Sequence, residues 1–155
     1  MYSFRKSKKG FTLIELMVVV AIIGVLALLG LRLYTGQQVK AKNAVIKANC
    51  GTIQTLIQAE LADSTISQVW DMVKPGVTTL LFFKSGIYNP LAGSAQTNNT
   101  AASETTRATA NATNAGYVYV YLDAAVASAT YFTINGVTAD GTSNMLYSTD
   151  LTARR

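Results

Sequence analysis

From Phe11 to Leu31 the chain is apolar, with Thr12 and Glu15 its only polar interruptions. As a helix that stretch rises about 31 Å, enough to cross the hydrocarbon core of a bilayer. A chain of 155 residues can build one compact domain, and this segment belongs to no such core. The 13 Lys and Arg outnumber the 8 Asp and Glu, but Arg5, Lys6, Lys8 and Lys9 all precede the apolar run. They form a positive flank on its N-terminal side, which predicts a cytoplasmic Met1 and an exported remainder. Beyond them the charges nearly balance, so net charge gives no support for a broad nucleic-acid surface. The absence of histidine excludes His-based triads and His metal sites, and a single Cys50 excludes an intrachain disulfide.

After Arg32 the helical period continues with a different character. Ile46, Cys50, Ile53, Ile57 and Leu61 recur at steps of three and four, with Lys40, Lys47, Gln54 and Gln58 off the stripe. This spacing predicts an amphipathic continuation of the same helix to about Asp63, with no proline from Met1 to Lys74. Ser64 to Val73 reads as a second, short helix carrying Trp70, and Val77 to Phe83 as β-prone. Asn89-Pro90 marks a turn. Residues 92–116 hold no aromatic and no large aliphatic side chain, and are expected to lie wholly in a surface loop. Tyr117 to Leu122, Thr130 to Asn135 and Met145 to Ser148 read as three strands, with Asn135-Gly136 and Asp140-Gly141 as turns. The expected fold class is α+β: a long N-terminal α-helix, hydrophobic and then amphipathic, packed on a small C-terminal antiparallel sheet.

The junction Lys8-Lys9-Gly10-Phe11-Thr12-Leu13-Ile14-Glu15-Leu16, continued by Met17-Val18-Val19-Val20-Ala21-Ile22-Ile23-Gly24, carries the most information. It resembles the cleavage and methylation site of type IV pilins and type II secretion pseudopilins. The resemblance implies a pilin-like fold. It also implies that a prepilin peptidase cuts between Gly10 and Phe11 and methylates the new amine of Phe11. On that basis residues 1–10 are a leader, 11–31 a transmembrane and filament-core helix, and 32–63 its amphipathic half. Residues 64–116 are then a connecting region, and 117–155 the antiparallel sheet and tail.

A carboxylate at the centre of a membrane helix costs about 2.5–3.5 kcal/mol, less near an end. For Glu15 the resemblance supplies a partner, the cationic amine of a neighbour's Phe11. An ordinary secretory signal cut after Val25-Leu26-Ala27 is the weaker alternative, because Glu15 would interrupt its apolar region.

The function implied is structural: a major pilin that polymerises into a type IV pilus, supporting adhesion, surface motility or DNA uptake. The alternatives are a pseudopilin of a type II secretion system and, from another class, a single-pass anchored binding domain that never polymerises. Expected partners are further copies of the chain, the peptidase, the membrane and the inner-membrane assembly machinery. The expected location is the inner membrane as a precursor, then the cell-surface filament. No specific nucleic-acid partner, no cofactor, no metal and no enzymatic activity are assigned. Cys50 is expected to be a small buried hydrophobe, and Tyr117, Tyr119 and Tyr121 one face of an amphipathic strand. Asp140 to Asn144 and Asp150 offer oxygens near a turn, but Asp-Gly is itself common turn chemistry.

Overall fold

The computed structural model describes residues 10–75, 80–99, 112–123, 131–142 and 148–152. The chain has two compact units, Met1–Gln38 and Val39–Arg155. Helix α1, Leu13–Asp63, supplies all but residues 10–12 of the described part of the first unit and the first element of the second. In the first unit every described residue is solvent-exposed. A Cβ added at Gly24, Gly30 or Gly36 would meet nothing within 4 Å.

In the second unit the helical stripe finds its core. Ile46, Cys50, Ile53 and Ile57 are fully buried, as the steps of three and four require of one helix face. They pack in one cluster with Val69 and Val73 of α2 (Ile66–Val73) and with Leu81 and Phe82 of α3 (Leu80–Ser85). The start of α2 is fixed by Thr65 and Gln68: Gln68 Oε1 accepts from the Thr65 backbone N–H and from its hydroxyl, each at 2.9 Å. Trp70 lies against Phe132 with ring centroids 6.4 Å apart.

A two-residue ladder joins β1 (Tyr88–Asn89) to β2 (Ser94–Ala95), and Ala112–Asn114 forms a short 3-10 turn. The main sheet comprises β3 (Val118–Asp123), β4 (Tyr131–Gly136) and β5 (Ser148–Thr152) in that order, antiparallel throughout. The register sets Val118 opposite Gly136, Val120 opposite Ile134 and Leu122 opposite Phe132. Alternation then turns Val118, Val120, Phe132 and Ile134 to the α1 side, where they complete the core.

The expected fold class and the long helix are found, with four local differences. Leu80 to Phe83 is helical rather than extended; residues 77–79 lie outside the described residues. A short apolar run is compatible with either state. Here a helix buries Leu81 and Phe82 and ends at Gly86, whose φ of 63° suits a helix terminus.

Gly136 is not a turn residue but the end of β4, directly beneath α1. A Cβ there would stand 2.6 Å from Ile46 Cγ2 and 3.0 Å from Cys50 Sγ, so glycine is what lets helix and sheet approach so closely. Asp140-Gly141 does turn, with Gly141 at φ 69° and its N–H on the Thr138 carbonyl.

The third strand extends to Thr152, beyond the expected Met145 to Ser148, of which 145–147 lie outside the described residues. Its sequence Ser-Thr-Asp-Leu-Thr has little strand character of its own. Pairing with β4 supplies the backbone partners that propensity does not. Finally, the stretch 92–116 is not all surface. Gln96, Asn99 and Ala115 are buried, while residues 100–111 lie outside the described residues.

The opposite face of β3 is covered as well. Tyr119 and Tyr121 are buried with Val137, and the half-buried Tyr117 packs against them, so Tyr119 and Tyr121 are interior groups rather than a displayed surface.

Candidate functional site

The start of α1 is built from Thr12 and Glu15. The first carbonyl of the helix, that of Thr12, accepts from the Leu16 N–H at 3.3 Å. The Thr12 hydroxyl oxygen accepts from the Glu15 N–H at 3.3 Å. In return Glu15 Oε2 accepts from the Thr12 N–H and from the Thr12 hydroxyl, both at 2.8 Å. This is a reciprocal capping box: two helix N–H groups that have no intrahelical acceptor are satisfied by side chains three residues apart. A carboxylate in the first turn also interacts favourably with the positive end of the helix dipole. The carboxylate therefore has donors within its own chain, and its residue belongs to an otherwise apolar helical run.

The sequence marks Thr12 only as a polar interruption, yet it is the residue that holds Glu15. A Thr-x-x-Glu spacing immediately before an apolar run is the signal that finds it. Phe11 and Gly10 precede the cap and are both exposed, Phe11 to 91%. A Cβ at Gly10 would touch nothing, so the peptide between them is open on every described side. Beyond the cap, the large side chains from Leu13 to Tyr34 are all exposed, from Val19 at 50% to Leu13 at 76%. Such a continuous apolar surface is far beyond what a monomer in water leaves uncovered. A bilayer or a bundle of like helices is the kind of surrounding that can cover such a surface.

The other residues singled out in the sequence have local roles. Cys50 is fully buried and burial pushes its thiol up to about 12, so it stays protonated and inert. The Asp140 carboxylate accepts from the Thr138 hydroxyl and from the Thr142 N–H, and these donors hold it down at about 2. Its oxygens close a turn. Among the described residues no group of His, Cys, Asp or Glu is arranged to hold a metal ion.

A self-capped carboxylate heading an exposed apolar stretch of helix, just after a short basic segment of sequence, marks out a class by its N-terminus. Residues 5–31 match the family model described as the prokaryotic N-terminal methylation motif, and the chain carries that motif. Among curated proteins it is similar to the fimbrial protein EcpB of Eikenella corrodens, with 44% identity over 62 residues. That match covers 40% of this chain and 39% of EcpB. It is also similar to the type IV major fimbrial protein FimA of Dichelobacter nodosus, with 41% identity over 56 residues covering 36% of each. The chain thus spans under two-fifths of the length of the relatives it matches. No solved structure matches it significantly.

Proposed function

We propose that the chain is the structural subunit, a major pilin, of a type IV fimbria. One observation carries this reading: an exposed apolar segment of α1, running to Leu31, whose single carboxylate, Glu15, stands four residues after the accessible Gly10–Phe11 peptide. The names of the similar fimbrial proteins support it. Cleavage at that peptide by a prepilin peptidase removes Arg5, Lys6, Lys8 and Lys9, the charges that resist movement out of the cytoplasm. It leaves the apolar helix intact and creates an amine on Phe11, methylated in the mature subunit. In the inner membrane the precursor's Glu15 is satisfied by Thr12. In the fibre the carboxylate meets a neighbour's Phe11 amine, which gives register to a bundle otherwise held by sequence-tolerant apolar packing.

N-terminal sequencing of the subunit in sheared surface fibres tests this. A chain beginning at methylated Phe11 is expected. A surface form beginning at Met1 or Leu28, or an anchored protein that never enters a fibre, overturns it.

A further inference from the structure

Among the described residues strand β3 lies at the end of the main sheet, and Val118 and Val120 turn their backbone groups away from β4. Such an edge normally offers a row of unpaired donors and acceptors to any other chain. Here two amide side chains occupy it. Gln96 Oε1 accepts from the Val118 N–H at 3.0 Å while Gln96 Nε2 donates to the Val118 carbonyl at 2.6 Å. Asn99 repeats the arrangement one rung along, accepting from the Val120 N–H at 3.3 Å and donating to the Val120 carbonyl at 2.7 Å.

Each amide spends its remaining N–H locally, Gln96 on the Asn98 carbonyl at 3.1 Å and Asn99 on the Val73 carbonyl at 2.9 Å. Both side chains are buried, at 4% and 1% exposure, while Thr97 and Asn98 between them are exposed. A primary amide carries one acceptor and one donor side by side, as the edge of a neighbouring strand does. The segment therefore supplies what a further strand would supply, using side-chain tips.

The geometry points to an edge lock: Gln96 and Asn99 hold β3 closed against strand pairing with β3 of a second copy. The partner follows from the symmetry of the edge. An antiparallel two-fold pairing centred on Tyr119 sets Val118 of one copy opposite Val120 of the other, each N–H facing a carbonyl. The amides occupy those same four groups in each copy. Because the contacts are made by side-chain tips, alanine at 96 and 99 removes them while the backbone bond from the Gln96 N–H to the Ile87 carbonyl stays. The inference does not depend on the filament reading, since it concerns the second unit alone.

The test uses the full chain in detergent micelles, as wild type, as the two single variants Gln96→Ala and Asn99→Ala, and as the double variant. In wild type the amides of Val118 and Val120 should be protected from hydrogen exchange. In the double variant at low concentration they should exchange about tenfold faster or more, as the loss of one hydrogen bond each implies. At high concentration they should regain protection in a dimer. That dimer should give amide contacts between Val118 of one isotopically labelled copy and Val120 of a differently labelled one.

Unchanged protection in the double variant overturns the lock. An opened edge that stays monomeric at high concentration, or association through other contacts, overturns the second copy as its partner. Trp70 fluorescence and an unreactive Cys50 report an intact core. If the double variant loses them, the single variants, each opening one rung, decide by the same measurements.

Discussion

The Glu15 carboxylate has a use within its own chain, and the proposed function gives it a second one in the fibre. Within its own chain it caps the helix through Thr12, which removes much of the cost of carrying it in an apolar segment. Changing it to alanine makes the segment more apolar, so Glu15→Ala should still enter the membrane. On the proposed function it should polymerise poorly, because a neighbour's Phe11 amine would be left unpaired in a dry bundle. Thr12→Ala separates the two roles: it removes the hydroxyl contacts but not the carboxylate, so fibres should still form. Fibre yield at equal membrane expression checks both. Normal yield from Glu15→Ala would refute its assembly role. Gly136 is the other residue whose identity is dictated by its neighbours. Gly136→Ala forces a methyl against Ile46 and Cys50 and should destabilise the second unit by about 1–3 kcal/mol, read from urea midpoints. If a side chain is what obstructs, Cys50→Ala in the same chain should recover part of that loss, a coupling that independent sites would not display.

Helix α1 was legible because its residues report their surroundings directly. An unbroken apolar run needs covering, and Ile46, Cys50, Ile53 and Ile57 at helical spacing need a core. The N-terminal motif of residues 5–31 was legible too, through a fixed spacing of residue types. What escaped depends on partners distant in sequence. Leu80 to Phe83 takes the helical state because that state buries Leu81 and Phe82. Gln96 and Asn99 sit in a polar stretch whose composition says solvent, and only the edge of β3, some twenty residues on, makes them interior. Gly136 looks like a turn until a helix lies over it.

The stem of α1 carries its own prediction. Many pilins bear a helix-breaking proline where this chain has Arg32. Here only Gly24 and Gly30 weaken the segment, by about 1 kcal/mol each relative to alanine. Unwound backbone among packed helices must find new hydrogen-bond partners, so the stem should stay largely helical in the fibre, with any unwinding confined between Gly24 and Arg32. Both glycines have room for a Cβ, so alanine at both should shorten that region further. A fibre map at side-chain resolution decides it, and extended density from Gly24 through Arg32 would contradict the helical stem.

Across the whole molecule, the two units divide the work between surface and core. Met1–Gln38 carries the apolar surface that a bilayer or bundle must cover, and Val39–Arg155 carries the core that the chain buries for itself. That core is closed without a disulfide, by α1 resting on β4 at Gly136, and the lone thiol of Cys50 lies in the seam. A thiol there is a stopwatch already installed. It is shielded and protonated while helix and sheet stay together, and open to a maleimide or a disulfide reagent once they part. With no second cysteine in the chain, every labelled molecule records one event, the lifting of this helix from this sheet. Timing that event in free subunits and in the fibres of the proposed function measures how far polymerisation would steady each subunit's interior. Labelling should be slower in the fibre, and equal rates would mean that assembly leaves the seam's opening as frequent as before.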